Sequence, residues 1–113
     1  ILNVTINAII TVLTGLRRSI MVIGVCRIDL LIDGASSLKD KRHIIKSITA
    51  RLRSKFNVSV AEVGLNDIWK NSIIGIACVS NEVSHANSIL SNVVNFIEKD
   101  RRVQIVDYSV EIL

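Results

Sequence analysis

Hydrophobic and polar residues alternate along the stretch 22–32, and this alternation predicts the first element of the fold. Cys26, Ile28 and Leu30 would share one face, while Arg27 and Asp29 would share the other. A period of two residues is typical of a β-strand with one buried face. We therefore expect the domain to begin with a strand whose Cys26 face lies on the core.

A change to helical spacing follows the turn at 33–36. Ser37 is the expected N-cap, and Asp40 stands three residues on, where a capping-box partner belongs. The expected helix runs from Ser37 to Phe56. Its apolar stripe has successive spacings of 3, 4, 3, 4 and 4 residues and consists of Leu38, Lys41, Ile45, Ile48, Leu52 and Phe56. We expect the stem of Lys41 to lie along this stripe with its ammonium in water.

Four further elements complete the pattern, and their order indicates the fold class. They are predicted as a strand over 58–63, a strand over 72–80, a helix over 82–99 and a strand over 103–113, with a loop over 64–71. The order βαββαβ is that of the α+β ferredoxin-like sandwich. Right-handed crossovers place both helices on one face of a four-stranded antiparallel sheet. The first and third strands would be its central neighbours.

Two cysteines fall on these central strands. Cys26 and Cys78 both stand in apolar contexts, where a free thiol behaves as a small hydrophobe. We expect inert core thiols, since a redox or metal pair would need more ligands than the chain supplies. Two cysteines make no disulfide framework, which favours a reducing, cytoplasmic setting.

The other face of the sheet carries apolar residues that no helix is expected to cover. Ile23 and Val25 on the first strand, with Ile73 and Val79 on the third, would point away from the helices. Homodimerisation through this face is one interpretation. An ordinary surface, covered in part by the N-terminal segment, is the other.

Residues 1–20 differ in composition from the rest of the chain. They contain no acid, and their charges are Arg17 and Arg18, which follow the apolar run. That run is too short and too polar for a transmembrane helix, so no membrane partner is expected. Met21, the single methionine, directly precedes the first strand. We expect 21–113 to be one domain and 1–20 an extension or a mis-assigned start, with an added strand or helix as the alternative.

Basic charge is concentrated on the first predicted helix. Seven of the 14 Lys and Arg residues lie between Ser37 and Phe56, with Asp40 as the single acid among them. At 100° per residue, four of the seven fall within about 60° and span about 21 Å of helix axis. These four are Lys39, Arg42, Lys46 and Arg53. Such a row favours an anionic partner, most plausibly nucleic acid, although a solvated helix face has the same composition.

Catalytic or metal chemistry has little support in the sequence. His43 and His85 lack a partner at metal-ligand spacing, and no glycine-rich phosphate loop or nucleophile elbow is present. Glu62 and Asp67 near Trp69 would make at most a small polar site that nothing selects. We therefore expect no enzyme activity, no cofactor and no metal.

Trp69 is the one aromatic residue in the predicted loops. It would stack on a base, insert into a partner, or anchor its loop on the core, and we favour the anchor. The central strands offer Val25, Ile73, Ile76 and Cys78 but no aromatic residue. Any RNA binding would therefore differ from the usual module that stacks bases on its central strands.

Several sequence blocks resemble one family. The stretches that carry the resemblance are 21–24 (MVIG), 37–42 (SLKDKR), 56–63 (FNVSVAEV), Trp69, 79–81 (VSN) and 107–111 (DYSVE). From Met21 to Leu113 the chain is similar to the small bacterial YlxP-like proteins. That family implies a ferredoxin-like fold, supplies no catalytic residues, and has no counterpart to residues 1–20. Its members are often encoded beside translation and ribosome-maturation factors, which implies a role near RNA or the ribosome.

Three hypotheses about function result. The first is a non-catalytic bacterial accessory factor that binds RNA or the ribosome through the first helix. The second is a homodimeric protein-interaction module that uses the open face of the sheet. The third, a small-molecule or enzymatic role, rests on fold analogy alone.

Overall fold

Six elements follow one another in the order that the hydrophobic periods predict. The computed structural model describes residues 21–113, so the predictions for 1–20 concern residues outside that range. The elements are β1 (Val22–Leu31), α1 (Leu38–Lys55), β2 (Ser59–Gly64), β3 (Asn71–Ser80), α2 (Val83–Glu98) and β4 (Gln104–Ile112). Each observed boundary lies within one residue of the predicted one.

The four strands form a single antiparallel sheet in the order β2-β3-β1-β4. The central strand β1 pairs with both neighbours, so that Cys26 stands opposite Ile76 on β3 and Val110 on β4. This order, with two helices, confirms the predicted α+β ferredoxin-like sandwich.

One layer of apolar side chains joins the sheet to both helices. The buried members include Cys26, Ile28 and Leu30 from β1, Ile74, Ile76 and Cys78 from β3, Ile45, Ile48 and Leu52 from α1, and Leu90, Val93 and Ile97 from α2. Strand residues of one parity and both helical stripes belong to this one cluster, so both helices cover the same face. Each fully buried aliphatic side chain stabilises the fold by about 1.5–3 kcal/mol.

The two cysteines are free thiols within this core. Cys26 and Cys78 are both buried, and the pairing of Gly24 with Cys78 puts them on the same face of adjacent strands. Burial raises the pKa of the Cys26 thiol to about 11. Because the thiolate is the reactive form, this thiol is unreactive near neutral pH.

The N-terminus of α1 is capped as predicted, with one difference. The Ser37 Oγ accepts a hydrogen bond from the Asp40 N–H at 3.1 Å. The Asp40 carboxylate, however, accepts from the N–H and the hydroxyl of Ser36 instead of the N–H of Ser37. These hydrogen bonds, with smaller contributions from Ser37 and Lys39, lower the pKa of Asp40.

Both edge strands contain a β-bulge. The pairing of β4 with β1 shifts so that Val106 has no partner, and the pairing of β2 with β3 shifts so that Val63 has none. These two valines are 64% and 62% exposed. A bulge bends its strand and disrupts the hydrogen-bond ladder locally.

Candidate nucleic-acid interface

The four basic residues predicted as a row are all exposed on one flank of α1. Lys39, Arg42, Lys46 and Arg53 lie outside the buried stripe of the helix. This flank borders β2 and the β2–β3 loop, because Arg53 Nη2 donates to the Val60 carbonyl at 2.7 Å. The structure therefore places the row as the helical wheel predicts.

The first three members of the row share a shallow open groove of about 570 Å³. Lys39, Arg42 and Lys46 line it together with Asp40, His43 and Arg102. Arg53 lies about two turns further along α1, where its guanidinium is held by β2. The groove near the N-terminal half of α1 is thus the strongest candidate for contact with an anion.

Lys41, expected to extend its ammonium into water, is fully buried, so that expectation was wrong. Its Nζ lies 2.7 Å from Glu62 Oε2 and donates to the carbonyls of Leu65 (2.7 Å) and Asn66 (3.3 Å). An ammonium has three donors, and here three acceptors surround it. This complete set of partners is what makes burial of the charge tolerable.

Glu62 connects this lysine to the sheet. Its Oε2 also accepts a 2.6 Å hydrogen bond from the hydroxyl of Ser72, which is 1% exposed. The resulting network joins α1, β2 and β3. The sequence does not identify Glu62 as a functional residue, although alternation along 58–63 places it on the same strand face as Val60. A carboxylate on an apolar strand face needs a partner.

The β2–β3 loop is fixed against both α1 and the end of β1. Leu65 adopts a left-handed backbone conformation with φ of 59°, which costs a non-glycine residue about 1–2 kcal/mol. The Lys41 ammonium binds the carbonyl of this strained residue. Arg42 Nη2 lies 3.6 Å from Asp67 Oδ1. The Ile32 N–H donates to the Lys70 carbonyl at 2.7 Å.

Trp69 lies at the surface of this loop. We had expected it to anchor the loop on the core, and that expectation was wrong. Its side chain is 39% exposed, and the buried core cluster does not include it. The Lys70 ammonium lies 4.9 Å from the centroid of the indole ring and donates to the Ala35 carbonyl. Backbone hydrogen bonds and the Lys41 ammonium anchor the loop, and part of the Trp69 ring is open to solvent.

The opposite flank of α1 contacts α2. The Lys55 ammonium lies 5.1 Å above the Phe96 ring, and Phe56 packs edge-on against the same ring at 5.9 Å. Arg51 contributes to the lowered pKa of Asp100, whose main cause is a hydrogen bond from Arg102. Lys55 and Phe56 therefore pack against α2, away from the row.

Residues 21–113 contain neither a cluster of metal ligands nor a helix that could span a membrane. Within 21–113, no three His, Cys, Asp or Glu side chains are grouped so that they could hold a metal ion. Neither of the two helices described there has the length and apolar content needed to cross a membrane. His43 and His85 are both exposed, and His85 Nδ1 lies 2.9 Å from the Ser80 hydroxyl.

Fold and surface together define a ferredoxin-like α+β domain with a basic helix flank beside an ordered loop. Residues 23–110 match the family described as "Protein of unknown function (DUF503)", and the chain belongs to that family. It is 40% identical over 76 residues to the Uncharacterized protein YlxP of Bacillus subtilis (strain 168), covering 67% of this chain and 83% of that protein. The resemblance to YlxP-like proteins is thereby confirmed.

A solved structure supports the fold independently. The De novo designed protein Foldit4 superposes with a TM-score of 0.50 at 15% sequence identity, over 83% of this chain and 97% of its own. At that identity the likeness concerns the fold alone.

Proposed function

We propose that this protein is a non-catalytic accessory factor that binds RNA, free or in the ribosome, through α1. One observation carries the proposal: four exposed bases share one flank of an 18-residue helix. The helix has a single acid, Asp40, whose carboxylate accepts hydrogen bonds from Ser36, so the four bases of the row outnumber it.

The geometry of the row suits a phosphate backbone. Lys39, Arg42, Lys46 and Arg53 extend over about 21 Å, long enough to meet several phosphates in succession. Contacts of this kind position a protein on nucleic acid without reading its sequence. If four phosphates of a single strand are contacted, the logarithm of the association constant should fall with the logarithm of the salt concentration with a slope of about −3.

RNA is favoured over other polyanions by the family resemblance. YlxP-like proteins are often encoded beside translation and ribosome-maturation factors, which supports a partner in that setting. The basic row supports a polyanionic partner, and the family resemblance favours RNA among the polyanions.

Charge reversal in the row tests this proposal. The variant Lys39→Glu, Arg42→Glu, Lys46→Glu is expected to lose retention of RNA in a filter-binding assay at low salt, because attraction to phosphates becomes repulsion. The matched control, Lys55→Glu, Lys99→Glu, Arg101→Glu, makes the same change in net charge at exposed positions outside the row. Equal retention by the two triple variants would refute the proposed site.

A second candidate function is a homodimeric interaction module that uses the outer face, meaning the face of the sheet away from the helices. A specific observation favours it: on this face Val25 and Arg27 of β1 stand beside Ala77 and Gly75 of β3. In a dimer whose two-fold axis runs parallel to the strands, β1 of one copy would face β3 of the other. The bulky side chains of Val25 and Arg27 would then pack against Gly75 and Ala77 of the second copy.

The size of the outer face is compatible with such a dimer. Four strands about 4.8 Å apart and about 30 Å long present about 600 Å². That is somewhat less than the roughly 800 Å² per partner of a standard interface, and it suits a weak dimer.

A further inference from the structure

Three exposed apolar side chains lie close together on the β2–β3 loop. Leu65 is 45% exposed, Ile68 is 47% exposed and Trp69 is 39% exposed. Single exposed hydrophobic residues are common on protein surfaces, but a group within five residues of one loop is a candidate contact surface.

Hydrogen bonds to α1 and to the end of β1 hold the backbone of this loop. The buried Lys41 ammonium binds the carbonyls of Leu65 and Asn66, and the Ile68 N–H donates to the Leu65 carbonyl at 3.0 Å. The Lys70 carbonyl is bound by the end of β1. A ligand that docks here therefore need not order the loop, which removes one cost of binding.

The loop is also continuous with the basic row. Arg42 belongs to the row and lies 3.6 Å from Asp67 in the loop. Lys70 places a second cation beside the Trp69 ring and reaches the Ala35 carbonyl just before α1. An exposed indole thus lies beside one cation, on a loop that contacts the basic row through Asp67.

An aromatic ring beside a basic track is the combination that single-stranded nucleic acids require. Phosphates follow the charges, and an unpaired base stacks on the ring. In a duplex the bases are already stacked within the helix and cannot reach such a ring, so proteins that read RNA by stacking bind loops, bulges and ends.

We propose that Trp69 stacks on an unpaired base of an RNA strand whose phosphates contact Lys39, Arg42 and Lys46. The inference rests on the proposed function and specifies its ligand as single-stranded RNA. Trp69 is then a binding residue, and Lys41 is a positioning residue that acts through the loop.

The chain has one tryptophan, so its fluorescence reports on this site alone. Titration of the full chain with a short oligouridine is expected to quench the emission, whereas an RNA duplex of equal length leaves it unchanged. In anisotropy measurements with labelled oligouridine, Trp69→Ala is expected to weaken binding roughly tenfold, in the range for loss of one stacked base. Trp69→Phe should recover part of that loss, and Val83→Ala, at an exposed apolar position outside the loop, is the matched control.

The possible results separate this inference from the proposal on which it rests. RNA binding that depends on the basic row, but with unquenched emission and unchanged affinity of Trp69→Ala, would overturn the inference and leave the proposed function standing. Absence of RNA binding altogether would overturn both. If Trp69→Ala instead alters the sedimentation of the protein and leaves its affinity for RNA unchanged, the loop is a protein contact and the inference is wrong.

Discussion

Lys41 shows how one side chain can link the core to the surface. It occupies a position in the apolar stripe of α1, and its charge is compensated by Glu62 and two loop carbonyls. A buried ion pair stabilises little relative to an apolar pair, yet removing one partner leaves an uncompensated charge. The value of this pair is therefore structural specificity: it fixes where the β2–β3 loop lies.

We expect Lys41→Met to lower the free energy of unfolding by about 3 kcal/mol, because Glu62 would be left as a buried, unpaired carboxylate. The double variant Lys41→Met, Glu62→Leu should be less destabilised, since neither charge remains. Urea unfolding followed by circular dichroism measures both. The exposed Lys39→Met is the control, and an equal effect of Lys39→Met and Lys41→Met would contradict this account.

The sequence predicted the position of Lys41 but not its environment. The 3-4 spacing correctly put it on the core side of α1. The general preference of lysine for water then suggested an exposed ammonium, because Glu62 is 21 residues away and no local pattern connects the two. The partner becomes apparent only when β2 is placed beside α1.

At the scale of elements, local patterns predicted the helices, the strands and the position of the β2–β3 loop well, but not the conformation of that loop. The boundaries were accurate because strand alternation, helical spacing and the Ser37 cap are properties of neighbouring residues. The β2–β3 loop depends instead on a left-handed Leu65 and on contacts with α1 and β1. Trp69 was consequently expected in the core, whereas the loop presents it at the surface.

The turn between α2 and β4 should make stability depend on pH. The Asp100 carboxylate accepts three hydrogen bonds from Arg102, which lower the pKa of Asp100 and raise the pKa of Arg102. Because the folded pKa of Asp100 lies below the unfolded value of about 3.9, its stabilisation is present above that pH. It is lost as pH falls below this value and the carboxylate becomes protonated in the folded protein.

Asp100→Asn is therefore expected to lower stability at neutral pH and to reduce the loss of stability on acidification, as measured by thermal unfolding across a pH series. Ser47→Ala is the control, because it removes a 3.2 Å contact to Arg102 without removing a charge. An acid response of Asp100→Asn equal to that of the unmodified chain would show that this turn does not contribute.

On the scale of the whole molecule, the two candidate surfaces lie on opposite sides of the sheet. The basic row belongs to the helical layer, and the outer face is the other side. Dimerisation through the outer face would leave both basic rows accessible on the outside of the pair. RNA binding and self-association are therefore compatible, and a dimer would present two binding sites at a fixed separation.

Self-association is tested by Val25→Glu, which places a carboxylate in the middle of the outer face. If the face forms a dimer, the sedimentation coefficient of the unmodified chain rises with concentration. Val25→Glu abolishes the rise, because it buries a second carboxylate opposite Glu111. Val83→Glu, at an exposed position at the start of α2, is the matched control. A chain that stays monomeric at the highest soluble concentration would exclude this dimer.

The two unpaired valines mark interruptions in both edge strands of the sheet. An edge strand offers free backbone groups to any extended chain, and edge-to-edge addition leads to fibres. The bulges at Val63 and Val106 interrupt both edges, so an incoming strand would find no continuous ladder on either side. The bulges therefore disfavour edge-to-edge addition and leave the outer face of the sheet unaffected.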